Sequence, residues 1–434
     1  MTQINFDLKS LSGDSCMDTI RRLEQIGIRL AGSPQEQSAA DWIQEKFGQT
    51  GLYNPHQQKF PCLTFGHSRC ETSILVSGQW KQIDSEPAAH TPSTPSDGVE
   101  GELLFIEKIP ESPQGCKSLL KGKIGVVYYS ALMKRLANFQ NIMQAEALAL
   151  LIVDDRIPNG WTVAIGFPRY WVDFISCPLV NISYMDAWEL ARQEVRSVRL
   201  QVDAFVREAA SQNVIGEIRG TGAPDEVIVI SGHHDSVANN PGVDDNCTGV
   251  AAVLELARIF SKSEPLRTLR FLSFGTEEQL SEGARHYALT ASDIDHIQFV
   301  LNIDSIGAVM GQTRIYCSGP EELQGLLEEV NNETGFPGHI IRELSPFSDH
   351  FPLNLRGIPA VWYYRQTFRA ARHYHHSTLE TLDVLSPKIL ESTLRHQAAL
   401  LDRLANQTPI PCPRRLTEEQ KNELQRMAKE WFGA

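Results

Sequence analysis

The sequence predicts an α/β fold, a doubly wound and mainly parallel mixed sheet with helices on both faces. The segment EVIVISG (226–232) is a continuous apolar run, which is typical of a parallel strand covered on both faces. Apolar runs alternate with segments of helical periodicity after residue 213, and this alternation favours a sheet wound with helices. Further strands are predicted at 268–275, 296–304, 314–319 and 358–364. Helices are predicted at 246–260, 281–290, 321–332 and from Ser386-Pro387 onward.

The first 60 residues and the middle of the chain differ in character. Residues 14–60 predict two helices, the second opened by the capping box Ser33-Pro34-Gln35-Glu36. The region 66–206 turns first to Ser, Thr, Pro and Gly and then to strands such as KGKIGVVYYS (121–130), with a helix predicted at about 133–148. We therefore predict a discontinuous domain over 1–65 and 207–405, an inserted small β-rich domain over 66–206, and a C-terminal linker and helix over 406–434.

Composition and charge exclude some classes of protein. The 434 residues suit two or three domains, and 42% hydrophobic with 21% charged residues is a globular balance. A formal net charge of −13 disfavours nucleic acid as a partner. The N-terminus lacks the basic and apolar run of a secretory signal, and ALALLIV (147–153) is too short to span a bilayer. The eight cysteines form no C-x-x-C pair, so we expect a cytoplasmic protein without membrane partners.

Ionisable residues follow three successive strands of the predicted sheet. EVIVISG leads into His233-His234-Asp235, LRFLSFG into Glu277-Glu278, and QFVLNI into Asp304. A single histidine at a strand end is usually structural, but carboxyl ends of parallel strands meet at one edge of a sheet. Carboxylates gathered there repel one another unless cations compensate them. Imidazole and carboxylate ligands together suit Zn²⁺, with Co²⁺ or Mn²⁺ as substitutes.

The spacing within these motifs suggests a separate chemical role for each residue. Asp235 lies two residues after His233, on the same side of an extended chain, and so is placed to orient a metal-bound histidine. Adjacent Glu277 and Glu278 point in different directions, so one can bind metal while the other holds a water molecule. This arrangement predicts metal-assisted hydrolysis.

The ordered motifs resemble the co-catalytic zinc exopeptidases of the aminopeptidase Y and bacterial leucyl aminopeptidase type. The resemblance is carried by H-x-D (233–235), G-V-D-D-N-x-x-G (242–249), F-G-T-E-E (274–278), N-I-D (302–304) and HHSTLETLD (375–383). LAGSPQEQSAADWIQEKF (30–47) and SDHFPLNLRGIPAV (348–361) extend it, and the inserted segment resembles a protease-associated domain.

This resemblance implies two Zn²⁺ per chain and an aminopeptidase that hydrolyses the N-terminal bond of peptide substrates. It implies His233 and Asp304 on one ion, Glu278 and His376 on the other, and Asp245 as the bridge. Glu277 would be the general base and then the general acid, and Asp235 would support a ligand. The Asp245–Asn246 peptide bond is expected to be cis. His375 stands where some relatives have a tyrosine that stabilises the oxyanion.

Other interpretations of these residues stay open. Asp244 is expected to be a solvated turn residue. His234 is expected to be a packing or a surface residue, His350 to be structural rather than catalytic, and Cys247 to serve in packing. The basic run holding Arg365, Arg369 and Arg372 is expected to be a solvated loop. It also leaves a carboxypeptidase or dipeptidase as the alternative, since a free carboxylate is usually recognised by arginine. A metal-free receptor-like relative and a single-zinc acyltransferase like glutaminyl cyclase are weaker alternatives, because all five candidate ligands are present.

Overall fold

The structure is a computed structural model that describes residues 10–367 and 372–433. The chain divides into two compact units. The first unit comprises Met1–Cys62, Ala209–Arg369 and Glu380–Ala428. The second comprises Leu63–Glu208, Ala370–Leu379 and Lys429–Ala434. Buried side chains form separate hydrophobic clusters in each unit.

The helices begin, in most cases, at a serine, asparagine or proline, as cap preferences require. They are α1 (Gly13–Ile26), α2 (Pro34–Thr50), α3 (Pro113–Leu120), α4 (Tyr129–Leu132), α5 (Leu136–Met143), α6 (Arg169–Val172), α7 (Tyr184–Arg192), α8 (Cys247–Phe260), α9 (Glu282–Thr290), α10 (Glu321–Thr334), α11 (His350–Asn354), α12 (Pro387–Asn406) and α13 (Glu418–Trp431).

The strands range from short edge segments to two very long ones. They are β1 (Tyr53–Val76), β2 (Gln79–Ile83), β3 (Glu86–Pro87), β4 (Val99–Ile106), β5 (Ile124–Tyr128), β6 (Ala149–Val153), β7 (Leu179–Ile182), β8 (Ser197–Ile218), β9 (Ala223–His233), β10 (Arg267–Phe274), β11 (Ile297–Ile303), β12 (Gln312–Ser318), β13 (His339–Ile341) and β14 (Ala360–Gln366).

The sheet of the first unit has the order β13-β12-β14-β11-β9-β10-β8, the last through its C-terminal half. Strand β9 is central and pairs in parallel with β10 and β11, and β11 pairs in parallel with β14. Strands β12 and β8 join antiparallel to β14 and β10. The predicted mainly parallel mixed sheet is therefore confirmed.

Both faces of this sheet are covered by helices. Ile228 and Ile230 of β9 belong to the cluster that includes Leu23 of α1 and Val250 of α8. The alternate residues Val227 and Val229 belong to the opposite cluster, together with side chains of α9 and α11. Because successive strand residues point to opposite faces, burial on both sides explains the continuous apolar run of β9.

The second unit has its own sheet, in which β4, β5, β6 and β7 are parallel. Strand β3 pairs antiparallel with β7, the first part of β8 pairs antiparallel with β4, and β1 and β2 form a hairpin. The end of α13 belongs to this unit, where Trp431 stacks on Trp171 with ring centroids 5.0 Å apart.

Some sequence expectations need correction. The two N-terminal helices are present, but the chain is extended from Tyr53, so the helical prediction for 53–60 is wrong. YNPHQQKF lacks apolar alternation because that part of β1 is largely exposed. Of the helix predicted at about 133–148, only α5 forms, because Ala149–Val153 is a buried strand and the chain must turn before it. Within the described residues, no helix has both the length and the apolar character needed to cross a bilayer.

Candidate metal centre

His233, Asp245 and Asp304 converge at one edge of the sheet of the first unit. His233 Nε2 lies 3.3 Å from Asp245 Oδ1 and 3.8 Å from Asp304 Oδ1. One potential ligand atom from each of the three residues lies within 4.8 Å of the others, and all three side chains are buried. The sequence predicted all three as ligands, and the structure brings them together.

Strand register explains this convergence. His233 is the last residue of β9, where it pairs with Phe274 at the end of β10. Asp304 directly follows β11, whose Asn302 pairs with Ser231 of β9. Because these strands are parallel neighbours, their carboxyl ends deliver their side chains to the same place.

Asp245 comes from the loop before α8, and backbone contacts fix that loop. The amides of Asp244 and Asp245 both donate to Glu380 Oε1, at 2.8 and 2.7 Å. Asn246 caps α8 through the amide of Gly249, and its Nδ2 donates to Ile303 O at 2.8 Å. The Asp245–Asn246 peptide bond is cis, as the resemblance implied.

Asp244 is fully buried, so the expectation of a solvated turn residue is wrong. Its Oδ1 accepts a hydrogen bond from the amide of Gly307 at 2.9 Å, and its carbonyl oxygen accepts one from Thr248 Oγ1 at 2.7 Å. A carboxylate that accepts a backbone amide can remain buried. Asp244 therefore connects the start of α8 to the chain that follows β11.

Asp235 contacts both His233 and the turn that carries Glu277 and Glu278. Its Oδ1 lies 3.4 Å from His233 Nδ1 and accepts a hydrogen bond from the amide of Glu277 at 2.9 Å, while Oδ2 accepts one from the amide of Glu278 at 3.1 Å. Burial alone would raise the pKa of Asp235, but His233 and the two amides bring that pKa below its ordinary value. Asp235 thus contacts His233 and both glutamate amides, and its supporting role stays a prediction.

Glu277 and Glu278 lie in a 3-10 turn after β10. Glu277 Oε2 is 3.8 Å from His233 Nε2, and its Oε1 accepts a hydrogen bond from Ser281 Oγ at 3.1 Å. Burial raises the pKa of Glu277 well above its usual value; His233 lowers that pKa, whereas Asp349 and the other nearby carboxylates raise it. A carboxylate whose pKa is raised is better matched to proton transfer near neutral pH.

The backbone around these glutamates is unusual. Thr276, Leu280 and Ser281 all have φ between 53° and 69°, the left-handed region that non-glycine residues rarely adopt. Such conformations persist where the surroundings determine them strongly, and they cluster at functional sites. The turn that presents Glu277 and Glu278 is therefore held by its environment rather than by local preference.

The sequence reasoning missed the residues that hold Asp304. Asp304 Oδ2 accepts from Ser348 Oγ at 2.8 Å, and Ser348 Oγ in turn accepts from Asn302 Nδ2 at 2.7 Å. Ser231 Oγ extends this buried chain to Asn302 Oδ1 at 2.8 Å. Asp349, next to Ser348, is also buried, and burial raises its pKa well above the usual value. In the sequence, the S-D-H motif (348–350) is indicated only by the family resemblance.

The segment 370–379, which carries His376, groups with the second unit. There the amide of Ala164 donates to His376 O at 2.7 Å, and His376 Nδ1 lies 3.2 Å from Ala164 O. A donor proton on Nδ1 leaves Nε2 as the lone-pair nitrogen. The ring of His375 stacks on that of His376, and its Nδ1 lies 2.8 Å from a terminal nitrogen of Arg372. His376 as a ligand and His375 as an oxyanion donor stay predictions.

Neighbouring residues expected to serve in packing do so. His234 is buried, with Nδ1 3.0 Å from Ser273 Oγ, and burial lowers its pKa to about 4. His350 is buried against the ring of Trp362, and burial lowers its pKa to about 3. Cys247 is buried, and burial raises the pKa of its thiol to about 11. Burial therefore keeps these groups uncharged near pH 7, and none of the three belongs to a cluster of potential ligand atoms among the described residues.

The donor set fits divalent cations. Among the described residues, neither ring nitrogen of His233 makes a hydrogen bond, although carboxylates surround the ring. Buried carboxylates need compensating charge, and an imidazole alone does not balance this group. One nitrogen and several oxygen donors are ligands that Zn²⁺ accepts. The residues therefore fit the predicted metal.

Comparisons with known proteins agree with this chemistry. Residues 213–401 match peptidase family M28. The chain is similar to an aminopeptidase of Pseudomonas aeruginosa, 24% identical over 326 residues that cover 69% of this chain and 59% of that protein, which is less than two thirds of its length. It is also similar to carboxypeptidase Q of Mus musculus, 25% identical over 385 residues that cover 84% of this chain and 80% of that protein.

A solved structure shows the same fold. The zinc aminopeptidase of Bacillus subtilis superposes with a TM-score of 0.73 at 20% identity, over 92% of this chain and 96% of that one. The family match over residues 213–401 and the relatives named aminopeptidase confirm the predicted class, a zinc metallopeptidase. More narrowly, residues 213–401 match peptidase family M28, and this match confirms the predicted family resemblance.

Proposed function

We propose that this protein is a zinc-dependent aminopeptidase that removes the N-terminal residue of peptides. The observation that carries the proposal is the convergence of His233, Asp245 and Asp304, with the Glu277 carboxylate 3.8 Å from the same imidazole. A ligand triad with an adjacent carboxylate that is not needed as a ligand is the arrangement that hydrolysis of a peptide bond requires.

The proposed centre holds two Zn²⁺, with Co²⁺ or Mn²⁺ as substitutes. His233 and Asp304 would bind one ion, Glu278 and His376 the other, and Asp245 would bridge them. The buried negative charge supports this number of ions, since a single divalent cation leaves most of these carboxylates uncompensated. When bound, the ions would lower the pKa of a water molecule and stabilise negative charge on the carbonyl oxygen.

The chain's own residues then move the proton. Glu277, held by Ser281 and by the Asp235 contact to its amide, would accept a proton from the attacking water and return it to the leaving amine. Asp235 would keep His233 in the tautomer whose Nε2 faces the metal. The C–N bond breaks, one water molecule is consumed, and an amino acid and a shortened peptide are released.

The acidic surroundings favour recognition of the ammonium of a free N-terminus, since carboxylates pair with ammonium groups. Arg365 is buried, so the expectation of a solvated loop is wrong for this residue, and it donates to Ala308 O at 2.5 Å and to Thr313 Oγ1 at 3.1 Å. Arg369 lies outside the described residues. The similarity to carboxypeptidase Q over 84% of the chain keeps carboxypeptidase activity as the second candidate.

Three finer points belong to the same proposal. The segment 66–206 is a protease-associated domain, the compartment is the cytoplasm, and nucleic acid and membranes are not partners. They are supported by the sequence features that predicted them, namely composition, charge and a cysteine pattern typical of a reducing compartment.

A panel of dipeptides and tripeptides, blocked at either the N- or the C-terminus, tests the proposal. We expect cleavage of C-terminally blocked substrates, no cleavage of N-terminally blocked ones, loss of activity with a chelator, and recovery with Zn²⁺. Metal analysis should give about two ions per chain. The reverse blocking pattern would establish the carboxypeptidase alternative, and a protein that binds no zinc would refute both.

A further inference from the structure

Arg29 is a fully buried arginine whose side chain binds carbonyl oxygens and a thiol rather than a carboxylate. It lies between α1 and α2. Its Nε donates to His234 O at 2.7 Å, one terminal nitrogen donates to Pro241 O at 2.7 Å, and the other lies 3.2 Å from Cys247 Sγ. A guanidinium in such a position orders every group to which it donates, because its donors form a rigid planar fork.

The backbone of Arg29 adds two contacts to the same segment. Its amide donates to Ser236 Oγ at 2.9 Å, and its carbonyl oxygen accepts from the amide of Ser236 at 3.1 Å. Arg29 therefore binds the segment 234–247 near its beginning, in its middle and at its end. That segment directly follows His233 and contains Asp235 and Asp245.

A site of this charge needs such support. Before ions bind, the carboxylates of Asp235 and Asp245 repel those of Asp304 and Glu277, and this repulsion favours opening of the loop that carries them. Metal affinity is high when the ligand side chains already have the geometry of the bound state. Residues that contact the ligands, rather than the metal, maintain this geometry. Contacts to successive carbonyl oxygens along one loop resist the repulsion without placing another negative charge near the ligands.

We propose that Arg29 is a positioning residue of the metal centre, which fixes the segment 234–247 so that His233, Asp235 and Asp245 stand in place before the ions bind. This inference rests on the proposed function. Arg29 acts through the ligands and not on the substrate, so its loss should weaken zinc binding while KM measured at saturating zinc stays close to the wild-type value.

The experiment measures the zinc affinity of metal-free protein by competition with a chromophoric chelator. Arg29→Gln keeps a polar side chain but loses the positive charge and the planar set of guanidinium donors. We expect zinc affinity to fall roughly 10- to 100-fold. Arg29→Lys restores the charge without the fork and should recover only part of the loss. Arg267→Gln is the matched control. Arg267 is a buried arginine at the start of β10, the end away from the metal centre, and it donates to the carbonyl oxygens of Leu404 and Gln407. We expect this substitution to lower the melting temperature and leave zinc affinity unchanged.

Wild-type zinc affinity in Arg29→Gln would overturn the inference, as would equal losses in Arg29→Gln and Arg267→Gln, since the effect would then be general destabilisation. If Arg29→Gln does not fold, Arg29→Lys and Ser236→Ala decide the question. Ser236→Ala removes one contact and should weaken zinc binding a few-fold, and unchanged affinity in both variants would contradict the proposal. A wild-type protein that binds no zinc would refute the proposed function itself.

Discussion

The carboxylate of Asp235 accepts a hydrogen bond at 2.9 Å from the backbone amide of Glu277. This contact ties the end of β9 to the turn after β10, so the residue that supports a metal ligand also places the proposed general base. Ligand geometry and proton transfer are therefore coupled through one buried side chain, and the substitutions below separate the two.

Replacing Glu277 by glutamine removes the proton acceptor and retains the size of the side chain. We expect zinc content to stay near that of the wild type and kcat to fall by about 10²- to 10⁴-fold, the range that a general base contributes. Steady-state kinetics with metal analysis of the same sample checks this. Glu328→Gln, on the exposed face of α10, is the control and should be fully active. Near-normal turnover in Glu277→Gln would remove Glu277 from the base role.

Replacing Asp235 by asparagine should weaken both functions together. The amide offers one oxygen where the carboxylate serves the amides of Glu277 and Glu278 and faces His233 Nδ1. We expect zinc affinity and kcat/KM each to fall roughly 10- to 100-fold. Asp383→Asn, at an exposed position before α12, should change neither quantity. A loss of turnover with unchanged zinc affinity would show that Asp235 acts on Glu277 alone.

Ser281 allows the hydroxyl contact to be separated from the backbone conformation. Its Oγ donates to Glu277 Oε1 at 3.1 Å, and its φ is 53°. Alanine and glycine both remove the hydroxyl, but only glycine adopts this φ without strain. We therefore expect both variants to lose kcat, and Ser281→Gly to melt at a higher temperature than Ser281→Ala. Recovery of full kcat in the glycine variant would mean that the hydroxyl does not orient Glu277.

Glu36 predicts a pH dependence of stability. Its carboxylate accepts from Ser211 Oγ and from the amide of Gly32, both at 2.6 Å, and burial, with the charge of Asp235, raises its pKa from 4.5 to about 8. The folded state thus binds a proton that the unfolded state has lost above pH 4.5. This stabilisation is present below pH 4.5 and decreases as the pH rises towards about 8.

Glu36→Gln mimics the protonated form at every pH. We expect its stability relative to the wild type to increase between pH 4.5 and 8, as measured by urea unfolding across that range. Glu45→Gln, on the same helix but outside this contact, should follow the wild type. A constant difference between Glu36→Gln and the wild type over the whole window would refute the raised pKa.

The sequence predicted the parts of the centre that follow buried strands. His233, Glu277 and Asp304 each lie at or just after the end of a buried strand, and parallel pairing then decides where they meet. Ser348, Glu380 and Arg29 come from segments without such a run, and only the folded chain shows what they contact. Asp244 was misjudged because a second aspartate in a Gly- and Pro-containing turn is usually solvated, whereas here it accepts the amide of Gly307.

The long strands β1 and β8 are not predicted from the sequence. Much of β1 is exposed and lacks the alternation of apolar and polar residues that marks a half-buried strand. In β8 this alternation is present, because Val198, Leu200 and Val202 are buried between polar residues. The grouping of residues 370–379 with the second unit was also not predictable, because that segment follows a strand of the first unit in the chain.

The contacts of Arg29 and Glu36 determine which fragments of this enzyme are suitable for study. A recombinant fragment restricted to residues 213–401 would contain every motif that matches peptidase family M28, yet it would lack both of these N-terminal residues. In such a fragment, the loop that carries Asp235 and Asp245 would lack its contacts with Arg29. The surface on which α1 and α2 normally pack would be exposed. With Arg29 in the proposed role, the part of the chain on which the metal centre depends extends at least to residue 29, well outside the segment that matches peptidase family M28.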